Sequence, residues 1–248
     1  MDRKEYDVSF SRMAPEVSGP WDGPTWEGVE SLEVAYFRPE SSSHRPRTRC
    51  KLLYSASRLH GLFRIDDCYV RCIHTGFQAE AFRDSCVEFF VQPKPGAGYL
   101  NFEFNCGGAM LASYVYDPAR VEGRVRGCAS LSLEEFGQVL LYHDLPERVE
   151  PEIGHPVVWH LGFSLPFALL ETYVGLLGEV GGQEWRANFY KCGDDTSHPH
   201  WGSWEPLAER NFHDPSSFGV IRFKKPGGSA WRDRDLWRTL HLMPSDVH

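Results

Sequence analysis

Tyr99-Leu-Asn-Phe-Glu-Phe-Asn105 decides the fold. Successive side chains of an extended chain point to opposite faces, so Leu100, Phe102 and Phe104 share one side and Tyr99, Asn101, Glu103 and Asn105 the other. Such a strand packs on its apolar side and can present hydrogen-bonding groups and an aromatic ring to a ligand on the other. Cys86-Val-Glu-Phe-Phe-Val91 repeats the pattern, with Val87, Phe89 and Val91 opposed to Cys86, Glu88 and Phe90.

Further from this centre, Leu32, Val34 and Tyr36 alternate with Glu33 and Ala35. Cys50 to Tyr54 and Leu62 to Ile65 read as two strands joined through Arg58-Leu59-His60-Gly61, and residues 138–142, 157–164, 186–192 and 220–223 are strand-like. One segment has helical spacing: Pro166 takes a first helical position, Leu169, Leu170, Tyr173 and Val174 follow, and Gly175 or Gly178 stops it. Many short strands with Gly and Pro punctuation and one short helix predict an all-β fold, an antiparallel β-sandwich of jelly-roll type. Residues 1–20 read as a polar N-terminal arm or surface strand, 21–225 as the sandwich, and 226–248 as a charged C-terminal tail in which Trp231, Leu236, Trp237 and Leu240 suit a short amphipathic helix.

The 248 residues carry 26 Lys+Arg against 34 Asp+Glu, a formal net charge of −8. Without a basic stripe, that balance excludes a general nucleic-acid binder, because phosphate attraction needs a cationic surface. At 42% hydrophobic residues a core is affordable and global disorder is excluded. Val157 to Leu177, the most apolar stretch, is interrupted by His160, Ser164, Pro166, Glu171 and Gly175, so no membrane span is expected. The opening MDRKEYDVSFSRM has no apolar signal region, which predicts a cytoplasmic location. The seven cysteines (50, 68, 72, 86, 106, 128 and 192) are odd in number and scattered through strand-like runs, as expected of reduced, mostly buried thiols.

No GxSxG, HExxH, P-loop or dinucleotide fingerprint is present. Asp194-Asp195-Thr196-Ser197-His198-Pro199-His200-Trp201 collects carboxylates and an HxH pair; calcium suits it better than zinc, and an ordinary polar loop is the simplest reading. Cys72 with His74 is a weaker pair of metal ligands. A broader constellation combines polar strand faces (Glu88; Asn101, Glu103, Asn105; Asn188, Tyr190) with aromatics among loop residues (Phe82, Trp201, Trp204, Phe212). Sugars have apolar C–H faces that stack on rings and hydroxyls that pair with amides and carboxylates, so this mixture suits a carbohydrate.

Asp84-Ser85-Cys86-Val87-Glu88-Phe89-Phe90-Val91 resembles the D-S-x-V-E-x-F segment of family 9 carbohydrate-binding modules and their DOMON-like relatives. The resemblance continues, in order, through Asn101–Asn105, Trp185–Lys191 and Asn211–Gly219, across roughly residues 21–225. It implies a sandwich that holds small saccharides at its end between two aromatic rings, with structural calcium common. Carried over, the rings fall on Phe82 and Phe212 and the polar grip on Glu88, Asn105, Asn188 and Tyr190. Asp84, Trp201 and Trp204 complete the expected site. This chain departs from the family where tryptophans stand in the clamp and where an arginine takes the place of Glu103; Arg83 or Lys191 is then the expected cation.

The function implied is non-catalytic binding of a small saccharide or sugar derivative. An alternative is an enzyme on a modified sugar with Glu88 and Glu103 as an acid/base pair and His213 or His200 assisting. A haem module would need an axial Met/His pair, for which Met110 is the central methionine.

Overall fold

The computed structural model describes residues 3–227. The strands are β1 (Glu5–Phe10), β2 (Leu32–Val34), β3 (Tyr36–Phe37), β4 (Arg47–Tyr54), β5 (Arg58–Asp67), β6 (Val70–Cys72), β7 (Cys86–Gln92), β8 (Tyr99–Asn105), β9 (Met110–Val121) and β10 (Arg124–Ser130). Helix α1 (Leu133–Phe136) follows, then β11 (Leu140–His143), β12 (Val149–Ile153), β13 (Val157–Pro166), helix α2 (Phe167–Val174), β14 (Glu184–Cys192), β15 (Trp201–Ser203) and β16 (Gly219–Phe223).

Apart from β6 and β12, which pair with each other, these strands form the two layers of a β-sandwich. The first layer runs β10-β9-β8-β7-β14-β16-β1 and the second β1-β4-β5-β13-β11. Strand β1 belongs to both. Its residues Glu5 to Val8 pair in parallel with β16, and Ser9 and Phe10 pair in parallel with the end of β4. The stretch read as an arm therefore supplies the strand that joins the sheets, while the amphipathic helix expected in the tail lies outside the described residues. The other neighbours in the two layers pair antiparallel.

The apolar halves of the alternating strands meet between the layers. Phe163 of β13 stacks on Phe89 and on Phe104, each at 5.5 Å between ring centroids, and Phe63 of β5 meets Phe189 of β14 at 6.2 Å. Met110 is fully buried in the same interior. On the outward face of the second layer, Trp21 and Trp26 cover Leu53 and Leu62. The Lys51 ammonium ties that cover down by donating to the Trp21 and Trp26 carbonyls at 2.9 and 3.0 Å. Where this cover lies, β4 and β5 are dry on both faces, which explains the apolar runs Leu52–Tyr54 and Leu62–Phe63.

Arg58 to Gly61, expected as a connection, instead continues β5, and the turn lies at Ser55–Ser57. Gly61 is needed there because it faces Phe163 across the ladder, and a Cβ would sit 2.2 Å from that ring. A Gly61→Ala substitution is expected to cost about 1–3 kcal/mol by overpacking, read from urea unfolding; an unchanged midpoint would contradict it. The expected helix is α2, with Pro166 as its N-cap and Gly175 at φ 72° ending it through a 2.9 Å bond from its N–H to the Glu171 carbonyl. The four-residue helix α1, unforeseen, is held by a capping box between Ser132 and Glu135.

Candidate functional site

The outward face of the first layer receives the polar halves of β7, β8 and β14. Register sets Glu88 opposite both Glu103 and Tyr190, and Cys86 opposite Asn105 and Cys192. The same face continues onto β9, where Ser113 lies opposite Asn101 and Leu111 opposite Glu103. Above this floor stand Phe82 from the 3-10 turn Ala81–Arg83, Trp201 from β15, and Phe212 and His213 from the loop before β16. Arg120 and Arg124 flank the β9–β10 turn, and Arg210 adds a third guanidinium. Together these groups enclose a cavity of about 430 Å³, within the roughly 300–1,000 Å³ usual for small-molecule sites. It lies on the outward face of the first layer.

The floor is dry. Glu88 and Asn101 are each 2% exposed and Glu103 is 5% exposed. Burial pushes Glu88 well above the usual carboxylate range, and the neighbouring Cys192 and Glu103 push it further. Burial also pushes Glu103 up to about 7, against the hydrogen bond donated by Asn101 Nδ2 to its Oε1 at 2.8 Å. The Cys192 thiol donates to Glu88 Oε1 at 3.1 Å. Burial, with Arg120 nearby, holds His213 down at about 4, so its ring is neutral; its Nδ1 lies 2.8 Å from the Tyr99 hydroxyl. The cavity therefore has buried carboxyl groups with raised pKa values below and exposed guanidinium groups at the mouth.

The walls are braced from behind. Phe212 stacks on Tyr190 with centroids 4.1 Å apart and planes 9° from parallel, and the Tyr190 hydroxyl donates to the Phe212 carbonyl at 3.0 Å. Trp201 donates through Nε1 to Asp194 at 2.7 Å, and Arg210 lies 4.4 Å from its ring centroid. Phe82, Trp201 and Phe212 remain half-buried.

Of the expected site residues, Phe82, Glu88, Glu103, Trp201 and Phe212 line this cavity, with His213 beside them. The others lie elsewhere. Lys191 projects from the opposite face of β14, because it follows the outward-facing Tyr190 by one residue; its ammonium is 3.5 Å from Asp67 between the layers. Asp84 is fully buried, accepting from the Ile73 and His74 amides and from Asn105 Nδ2. Asn105 shares the cavity face but uses its oxygen on the Gly107 and Ala109 amides and its nitrogen on Asp84 and the His74 carbonyl. Asn188 clasps Glu205 through both backbone groups. Trp204 packs edge-on against Phe189 at 5.6 Å in the core. Arg83 pairs with Glu80 and Asp195 outside the cavity.

The cations at the mouth, Arg120, Arg124 and Arg210, were missed in the sequence reading. The signal for two of them was Arg120-Val-Glu-Gly-Arg124, a hairpin turn in which Glu122 and Gly123 have φ of 50° and 80°. In the loop at 194–200, Asp195 pairs with Arg83, His198 stacks on Tyr69 at 3.6 Å, and His200 Nε2 lies 2.9 Å from the Lys191 ammonium. His74 lies against Asp84, away from any ligand set with Cys72. Among the described residues, the group that could converge on a metal is Cys86, Glu88 and Cys192, whose two thiols do not suit calcium.

A floor of paired polar strands under a ring of half-buried aromatics matches the layout expected of a sugar-binding sandwich, and the model of carbohydrate-binding family 9 matches residues 26–223. The chain belongs to that family. A putative carbohydrate-binding protein from Bacteroides uniformis shares its fold with a TM-score of 0.76 at 25% identity, covering 90% of this chain and all of that one. A family 9 module from Caldicellulosiruptor kristjanssonii, solved with cellotriose and with glucose, superposes with a TM-score of 0.62 at 14% identity. In the cellotriose complex the match covers 92% of this chain and 97% of the module, and in the glucose complex 91% and 98%. No curated protein sequence is significantly similar to this chain.

Proposed function

We propose that this family 9 protein binds a small saccharide, without catalysing its conversion, in the cavity walled by Phe82, Trp201 and Phe212. The observation that carries the reading is the pairing of three half-buried rings with a buried floor of Glu88, Asn101 and Glu103. Rings take the C–H faces of a pyranose and the floor takes its hydroxyls. The family match and the saccharides named for the solved neighbours support the same class of ligand.

Glycoside cleavage needs one ionised and one protonated carboxyl across the bond. Burial raises both carboxyl groups, Glu103 to about 7, and among the described residues no cation bonds to either, so neither is held as the ionised nucleophile. No hydrolysis of glycosides is expected; turnover that disappears in Glu88→Gln would overturn this part of the proposal.

Thermal unfolding against a panel of sugars, run with calcium and with EDTA, tests the binding. A sugar at about 100 times its Kd adds about 2.7 kcal/mol of stability. Phe212→Ala is expected to weaken that sugar roughly two- to tenfold by removing one stacking contact. Absence of any shift across the panel, or undiminished binding by both Phe82→Ala and Phe212→Ala, would refute the site.

A further inference from the structure

We infer that the saccharide is acidic: a uronic acid whose hydroxyl edge rests on Glu88, Asn101 and Glu103 and whose carboxylate meets Arg120, Arg124 and Arg210 at the mouth. This deepens the saccharide-binding reading and rests on it.

The floor demands donors. Asn101 gives its Nδ2 to Glu103, but its buried Oδ1 has no hydrogen-bond partner. A buried carbonyl oxygen left alone is costly, so this oxygen is an acceptor for an O–H or N–H brought by an occupant of the cavity. Two buried carboxyl groups facing each other across the β7–β8 ladder, with no cation bonded to either among the described residues, offer an anion no counter-charge and exchange hydrogen bonds with hydroxyls. The buried end of the ligand is therefore neutral and rich in hydroxyls.

The mouth demands the opposite. Three guanidinium groups line it on a chain whose net charge is −8, so they form a local positive field and do not reflect the composition. The remaining carboxyl of the lining, Asp194, already accepts from Trp201. Arg120 is oriented by Asn211 Oδ1 at 3.1 Å and the Gly123 carbonyl at 2.7 Å. Arg124 is exposed, and its side chain makes no hydrogen bond or ion pair with the described residues. A fixed fork of N–H donors pairs best with a planar carboxylate, and sulfate or phosphate esters offer the same charge on a different geometry.

Calorimetric titration of the full chain with glucuronic acid, galacturonic acid, glucuronamide, glucose, and phosphorylated and sulfated glucose tests the assignment. At least one uronate is expected to bind about tenfold more tightly than glucose and glucuronamide. That preference is expected to shrink severalfold in Arg124→Gln and on raising salt from about 50 to about 500 mM, with the melting temperature of the exposed variant unchanged. Equal binding of uronate, amide and glucose overturns the inference while leaving the saccharide site standing. Tight binding of an ester without the uronates overturns the carboxylate assignment, and binding of no sugar at all overturns both the inference and the site.

Discussion

Replacing Lys191 by methionine is expected to lower the unfolding free energy by about 3–5 kcal/mol, the range for breaking a buried ion pair by removing one partner. Lys191 is fully buried, and its ammonium lies 3.5 Å from Asp67, which is 5% exposed. Burial alone would raise the Asp67 pKa. The Lys191 charge, with hydrogen bonds from His44 at 2.7 Å and Trp159 Nε1 at 3.0 Å, holds it well below the usual range. The folded pKa is depressed, so this stabilisation is present above the unfolded value near 3.8 and is lost as pH falls through the lower folded value. Without Lys191 the carboxylate is left charged between two sheets. Urea titration near neutral pH reads the loss, and Lys191→Met combined with Asp67→Asn should recover more than half of it. A single-variant loss below about 1 kcal/mol would show that water or another cation replaces the ammonium. Sugar binding by the folded fraction is expected to persist, since Lys191 lies on the side of β14 away from the cavity.

Glu103→Gln is expected to act in the opposite direction and only at high pH. The folded pKa of Glu103 is raised from an ordinary 4.5 to about 7, so the group stabilises the fold while protonated, below the unfolded value. That contribution is lost as pH rises from there through 7. The full difference amounts to about 3 kcal/mol. Glutamine keeps an oxygen for Asn101 Nδ2 and cannot ionise, so the variant should gain about 3 kcal/mol relative to the parent chain at about pH 8.5 against pH 4. Comparing the two proteins at both pH values isolates this group from every other titration. A constant difference between them at both pH values would mean that Glu103 stays protonated throughout or that its carboxylate reaches solvent.

The candidate floor was legible because it lies in the pleat. Leu100, Phe102 and Phe104 could face only the core, which left Asn101 and Glu103 outside, and the same alternation placed Glu88 on β7. Applied to β14, it would also have kept Lys191 out of the candidate site, since Tyr190 and Lys191 cannot share a face. Asn105 and Asn188 show where parity is insufficient. Both are on the right face, but the turn after β8 at Asn105 and the Glu205 and Ser217 loops over the middle of β14 at Asn188 take up the amides with their backbone groups. The Arg120–Arg124 hairpin is poorly marked in the sequence because the stretch of β9 leading into it alternates weakly and contains Pro118.

Local chemistry thus determined the strands, their dry and polar faces, the helix ended by Gly175, and the family resemblance. These depend on side-chain alternation and backbone preference among near neighbours, which a linear string records. Tertiary structure alone decided that β1 joins the layers, that Phe82, Trp201 and Phe212 surround one cavity, and that three arginines line the same cavity as two buried glutamates. Those facts depend on strand register and loop paths between residues far apart in the chain, where the energy of packing, and no local rule, selects the partners.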